Sequence, residues 1–171
     1  MILCDWEIRA LCAESSMVSP FDPELVNPAS LDVRLGDTLL IESAASPSMV
    51  PVDISKYTEA NPYVLVPGQF VLAETIEVFN LPRTIAAQFM LKSSRARSGL
   101  EHLMAGYCDP GWNGSKLTME LHNSRQLHRI ALWPDMRIGQ MVFHRMNAVP
   151  IKGYDQTGRY NNQPHVQESL G

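Results

Sequence analysis

The chain has 171 residues, 45% apolar and 19% charged, which fits one folded domain with at most a short tail. Fourteen Lys and Arg against eighteen Asp and Glu give a formal charge of −4. That balance argues against a general polyanion binder, so no nucleic-acid partner is expected, although a local basic pocket stays open.

The opening stretch MILCDWEIRALCAES places acids early and lacks the basic-then-apolar order of a signal peptide. Within it, Asp5 is positioned to cap a short helix carrying Trp6, Ile8, Leu11 and Cys12 at roughly helical spacing. Beyond it, twelve prolines and ten glycines punctuate short runs rich in Val, Ile, Leu and Phe. Strands are expected at 31–35, 38–41, 63–66, 70–78, 84–91, 116–122, 130–133 and 138–145. Short strands between Pro/Gly turns predict a mainly β protein, a sandwich, jelly roll or distorted barrel, rather than βαβ units. The last stretch, 153–171, has three glycines, three glutamines and two asparagines and little to bury. It predicts a flap that orders over something, or a disordered tail, following a β domain over 1–152. No apolar run reaches the roughly 18 residues of a membrane span, so no membrane partner is expected. Cys4, Cys12 and Cys108 are odd in number and form no C-x-x-C pair, which suits reduced thiols in a cytoplasmic protein.

Several chemistries lack their residues. Neither H-x-E with P-C-x-x-C nor H-E-x-x-H occurs, and the five histidines show no metal spacing, so no zinc is expected. The P-loop, the dinucleotide fingerprint and G-x-S-x-G are also missing.

What remains is a constellation around residues 92–122. Lys92-Ser93-Ser94-Arg95-Ala96-Arg97-Ser98-Gly99 follows a strand-like run and ends in glycine, predicting a helical turn between a Ser cap and a Gly stop. Backbone N–H groups, two hydroxyls and a lysine converge at its start, as a phosphate requires. Ser93 and Arg97 are four apart and share a face. A capped surface turn with solvated cations would look the same. Asp109, ahead of Pro110-Gly111, could bind a sugar hydroxyl, activate a water, or simply shape a turn. The run from Lys116 to His122 alternates, with Leu117, Met119 and Leu121 facing one way and Lys116, Thr118, Glu120 and His122 the other. Glu120 thus lies mid-strand on a polar face, which is also how a solvent-exposed strand looks.

Taken together, CDWEI (4–8), NPASLDVRLG (27–36), VPGQFVLAETIEVFNLP (66–82), LKSSRARSGL (91–100), AGYCDPGWNG (105–114), MELHNS (119–124) and WPDMRIGQMVF (133–143) resemble the dCTP deaminase branch of the dUTPase-like superfamily, in the right order along the chain. GYDQTGRYNNQ (153–163) is similar to that family's nucleotide-closing C-terminal segment.

The resemblance implies a distorted jelly-roll or β-barrel subunit with a short N-terminal helix and a flexible C-terminal flap. It implies a homotrimer with active sites between subunits. The expected reaction is metal-free hydrolytic deamination of dCTP to dUTP and ammonia, with Mg2+ carried on the triphosphate. By the same resemblance Lys92, Ser93 and Ser94 hold the triphosphate, Asp109 the deoxyribose 3′-hydroxyl, and Glu120 is general base and proton shuttle. Ser93 and Arg97 position the water and the glutamate, and the loop with Ala105 gives backbone contacts. Tyr154, Arg159 and Gln163 close over base and phosphates, Arg159 standing where the family usually has lysine. dTTP is a candidate inhibitor.

Against the family pattern, the loop between Gly99 and Asp109 is one residue short and the run from Gly114 to Glu120 one long. A bulge near Ser115–Leu117 is expected to return Glu120 to the pocket. The alternatives are a bifunctional enzyme taking dCTP to dUMP and pyrophosphate, a dUTPase, and a non-catalytic nucleotide sensor.

Overall fold

The computed structural model describes residues 1–171 and is mainly β. Helix α1 (Asp5–Ser15) leads into β1 (Val18–Ser19), a 3-10 turn (Pro23–Leu25), β2 (Val26–Asn27), β3 (Ser30–Ser43), β4 (Ser46–Asp53) and β5 (Tyr63–Leu65). Next come β6 (Phe70–Asn80), β7 (Ile85–Leu91), α2 (Ser93–Arg97), β8 (Leu100–His102) and β9 (Tyr107–Cys108). The chain ends with β10 (Asn113–Asn123), β11 (Ile130–Leu132), β12 (Arg137–Arg145) and α3 (Tyr154–Thr157).

One strand organises the rest. The first half of β3 pairs with β12 through Leu31–Arg34, and its second half pairs with β6 and β4 through Leu35–Ser43. It can serve both because its pairing with β6 shifts register between Leu35 and Leu39, bending the strand. Gly36 lies in that bend, where a Cβ would come within 2.7 Å of Glu74 Cγ. The main sheet therefore curls, in the order β8-β10-β6-β3-β12-β7-β9. Alternate residues point inward: Leu31, Val33 and Leu35 from β3, Met119 and Leu121 from β10, and Met141 and Phe143 from β12 share one core.

The helix cap differs from the sequence reading. Cys4, not Asp5, is the N-cap residue, and Glu7 Oε2 accepts from the Cys4 N–H at 3.1 Å. Ile8 and Cys12 face the core while Trp6 stays exposed, because its position falls outside the 100°-wide buried stripe. The runs at 31–35 and 38–41 are one strand, and β4 was not expected at all. Its Pro47 and Pro51 are tolerated because β4 pairs only with β3, leaving an edge where a missing N–H costs little. Helix α2 is capped by Lys92 rather than by a serine, Ser93 and Ser94 being its first residues, and Gly99 at φ +93° closes it off.

The tail is seated on the domain. Asn162 and Gln163 bracket the start of β10, and the Val166 N–H donates to Glu74 Oε2 at 2.7 Å. Val166 is its only buried apolar residue and packs with Leu40 and Leu72.

Candidate active site

Strand β10 presents Glu120. Its pairing with β6 slips between Asn113 and Ser115 and again between Lys116 and Thr118, so the bulge expected near Ser115–Leu117 is present. The Thr75 hydroxyl fills it by accepting from the Leu117 N–H at 3.0 Å. Past the bulge the register is regular, with Glu120 opposite Leu72 and odd-numbered residues buried. Glu120 then lines a cavity of about 570 Å³.

The facing wall comes from the turn after β9. Trp112 N–H donates to Asp109 O at 3.1 Å with Gly111 at φ +92°, the conformation that a Pro-Gly centre favours. Asp109 stays exposed at the cavity rim, and Cys108 beside it is buried, its thiol pushed up to about 12 by burial. Trp112 stacks on Phe79 at 5.5 Å and donates from Nε1 to Tyr160 O at 2.7 Å, locking turn to tail. The tail supplies Tyr154, Tyr160, Gln163 and Glu168 to the cavity, and Met49, Phe70 and Leu72 give it an apolar floor. Arg83 holds α3 through Asp155 at 2.6 Å.

Burial pushes the Glu120 carboxyl above its ordinary range, because no cation lies close enough to offset the lost solvation. Its neighbour is His102, with Nδ1 at 3.8 Å from Oε2, and burial lowers that imidazole's pKa. In the sequence His102 carries no assigned role, the five histidines being notable only for lacking metal spacing. The nearest signal to it was the shortened loop in which it sits. Gln163 is buried with its Nε2 donor unpaired, facing a cavity that offers a ligand the matching acceptor site. Ala105 lines the same space.

The expected site thus divides. Glu120, Asp109, Ala105, Tyr154 and Gln163 come together; Lys92, Ser93, Ser94, Arg97 and Arg159 do not line this cavity. Arg97 was expected to orient Glu120, yet within one chain it is exposed on α2 and makes no ion pair with it. Arg159 is likewise exposed, and the neighbouring Tyr160 takes the lining position because its backbone carbonyl is tied to Trp112 and Ser115. Ser93, Ser94 and Arg97 are open to solvent, while Lys92 Nζ lies 2.5 Å from the buried Asp32. Arg137 approaches the same carboxylate at 3.8 Å, so two cations gather beside α2. No group of three or more His, Cys, Asp or Glu side chains is arranged to hold a metal ion.

A curled β domain whose own tail lines a cavity beside a half-buried carboxylate is the architecture of a small-molecule binding protein. The model of the dCTP deaminase-like family matches residues 2–146, and the chain belongs to that family of enzymes. A relative from Leifsonia xyli subsp. xyli, "dCTP deaminase, dUMP-forming", is 38% identical over 176 residues, covering 95% of this chain and 87% of its own. A protein of the same name from Tropheryma whipplei is 35% identical over 183 residues, covering 99% and 92%. The crystal structure of 2′-deoxycytidine 5′-triphosphate deaminase from Agrobacterium tumefaciens matches with a TM-score of 0.67 at 25% identity, over 84% of this chain. This chain spans 48% of that longer one. The dUTPase-like fold expected from the sequence is therefore the fold observed. No helix is long and apolar enough to cross a membrane.

Proposed function

We propose that this chain is a cytoplasmic, homotrimeric enzyme that deaminates dCTP by hydrolysis and releases the nucleotide as dUMP. The observation that carries the reading is the pair of acids, Glu120 and Asp109, on one cavity that the tail closes. The sequence alone favoured dUTP as product. The dUMP-forming relatives favour the alternative, in which both acids work.

In the first step Glu120 takes a proton from water, whose pKa of about 15.7 makes it a poor nucleophile unaided. The hydroxide adds to C4 of cytosine while Glu120 delivers that first proton to N3; Glu120 then takes the proton of the new C4 hydroxyl and passes it to the amino group. The C4–N bond breaks and ammonia leaves. A carboxylate held above its usual pKa suits both halves of that transfer. Gln163 Nε2 and the Ala105 loop would bind the base edge, and Tyr154 would cover it. In the second step Asp109, on the rim of the same cavity, would hold the 3′-hydroxyl and direct a second water to the α-phosphorus. Pyrophosphate is then the leaving group.

Lys92, Ser93 and Ser94 would bind the triphosphate, with Mg2+ carried on the phosphate oxygens and Arg159 closing over them. Since these residues and Arg97 sit outside the chain's own cavity, a neighbouring subunit would supply them, with Ser93 and Arg97 then steadying the water and Glu120. dTTP, which shares the sugar and triphosphate, is expected to compete.

The test is Glu120→Gln. Ammonia release from dCTP is expected to fall by about 10²–10⁴-fold with nucleotide affinity nearly unchanged. A variant that deaminates at the wild-type rate overturns the assignment.

A further inference from the structure

Among the buried side-chain atoms without a hydrogen-bond partner are Nδ1 and Nε2 of His102 and Oε2 of Glu120. Orphaned buried polar groups are costly and rare, and these belong to two residues that face each other across 3.8 Å. We propose that His102 is a positioning residue for Glu120: a neutral imidazole whose Nδ1–H closes onto Oε2 when nucleotide fills the cavity, leaving Oε1 to receive the water's proton. The inference deepens the function proposed above and rests on it.

The surroundings decide which nitrogen carries the proton. Nε2 lies on the side of Gly106 and has no hydrogen-bond partner there. Nδ1 faces a carboxylate oxygen. Phe89 meets the ring edge-on at 4.7 Å and 90°, fixing its plane. His102 does not itself line the Glu120 cavity; it lines a separate groove of about 260 Å³ and reaches the site through its 3.8 Å approach to Glu120.

The charge state follows from what packs there. On its own strand the neighbour is Glu101, which turns to His122 of β10 at 3.8 Å. From β10 comes Glu120; β7 offers Gln88, Phe89 and Met90, none titratable near neutrality; and α2 offers Ala96. On the cavity side Asp109 and Glu168 share the lining with Glu120. With a 6%-exposed side chain, burial holds the imidazole neutral. A neutral donor suits this role: it stabilises the Glu120 anion without the full charge that would cancel its basicity.

The sign is fixed. An Nδ1–H bond favours the carboxylate and lowers its pKa against the effect of burial. Removing it raises that pKa, so the acid limb of the kcat profile moves to higher pH.

The experiment measures ammonia release from dCTP by the wild type, His102→Phe and His102→Asn. Phenylalanine keeps the ring and its packing on Phe89; asparagine places an amide N–H near the Nδ1 position. His102→Phe is expected to lower kcat about 10- to 100-fold with KM within a few-fold, and to shift the acid limb upward. His102→Asn is expected to restore both. Wild-type kcat and acid limb in His102→Phe overturn the inference, as does equal loss in two folded variants. Nitrogen-15 NMR of the wild-type histidines needs no variant to fold. It is expected to show a neutral Nδ1–H tautomer for His102, and an Nε2–H tautomer or an imidazolium overturns the proposal. A wild type that releases no ammonia at all overturns the functional reading first, and this inference with it.

Discussion

The Glu120 cavity and the α2 turn make an instructive pair. Every wall of the cavity is tied in place by the chain itself: β10 by its bulged register, the Asp109 turn by Trp112, and the tail by Glu74 and Ser115. The α2 turn is the opposite, with Ser93, Ser94 and Arg97 exposed and Lys92 held by Asp32. Enclosure raises the Glu120 pKa, while charge display on a surface turn keeps cations solvated until an anion arrives. The cavity that holds both acids is built within one chain, and the turn that carries Ser93, Ser94 and Arg97 is left open to solvent.

That contrast breaks most sharply if the two halves come from different subunits. Glu120→Gln and Arg97→Ala are each expected to be inactive, and mixing them under conditions of subunit exchange to recover roughly a quarter of wild-type activity, since half the subunits bring each intact half. Recovery of none means that both halves act in the same chain. Lys92→Ala should next raise the KM for dCTP by roughly 10-fold or more through a lost charge-assisted contact, with kcat far less affected. Initial-rate kinetics measure it, and an unchanged KM moves the phosphate site elsewhere.

Two smaller effects sharpen the account of the scaffold. Gly36→Ala forces a methyl against Glu74 Cγ at the bend of β3 and should cost about 1–3 kcal/mol, read by denaturant unfolding. Glu120 should show the reverse sign. Its folded pKa is raised, so the unfolded chain ionises first, and stability is lost as pH climbs from the unfolded value to the folded one. Glu120→Gln is therefore expected to raise Tm at neutral pH and to leave it unchanged below the carboxylate range, by calorimetry at both pH values.

Much of this was legible in the residues. Alternation around Glu120 predicted its face, and a one-residue excess predicted the bulge that the register shows. Punctuation by Pro and Gly predicted the strands but hid β4, since a proline-bearing edge strand reads as a loop. Long-range partners were not legible. Nothing local says that Glu74 will anchor Val166, that Tyr160 will replace Arg159 at the lining, or that His102 will meet Glu120. Those contacts depend on how the sheet curls and where the tail lands, and a strand's own pattern carries only which way its side chains point.

On the proposed function, one cavity serves two acids in sequence. Product analysis by chromatography, with purified protein, dCTP, Mg2+ and a parallel ammonia assay, tests it most directly. The expected products are dUMP, pyrophosphate and ammonia in equal amounts, with little dUTP accumulating. Accumulated dUTP with matching ammonia would contradict the second role of Asp109, and no ammonia would contradict the role of Glu120.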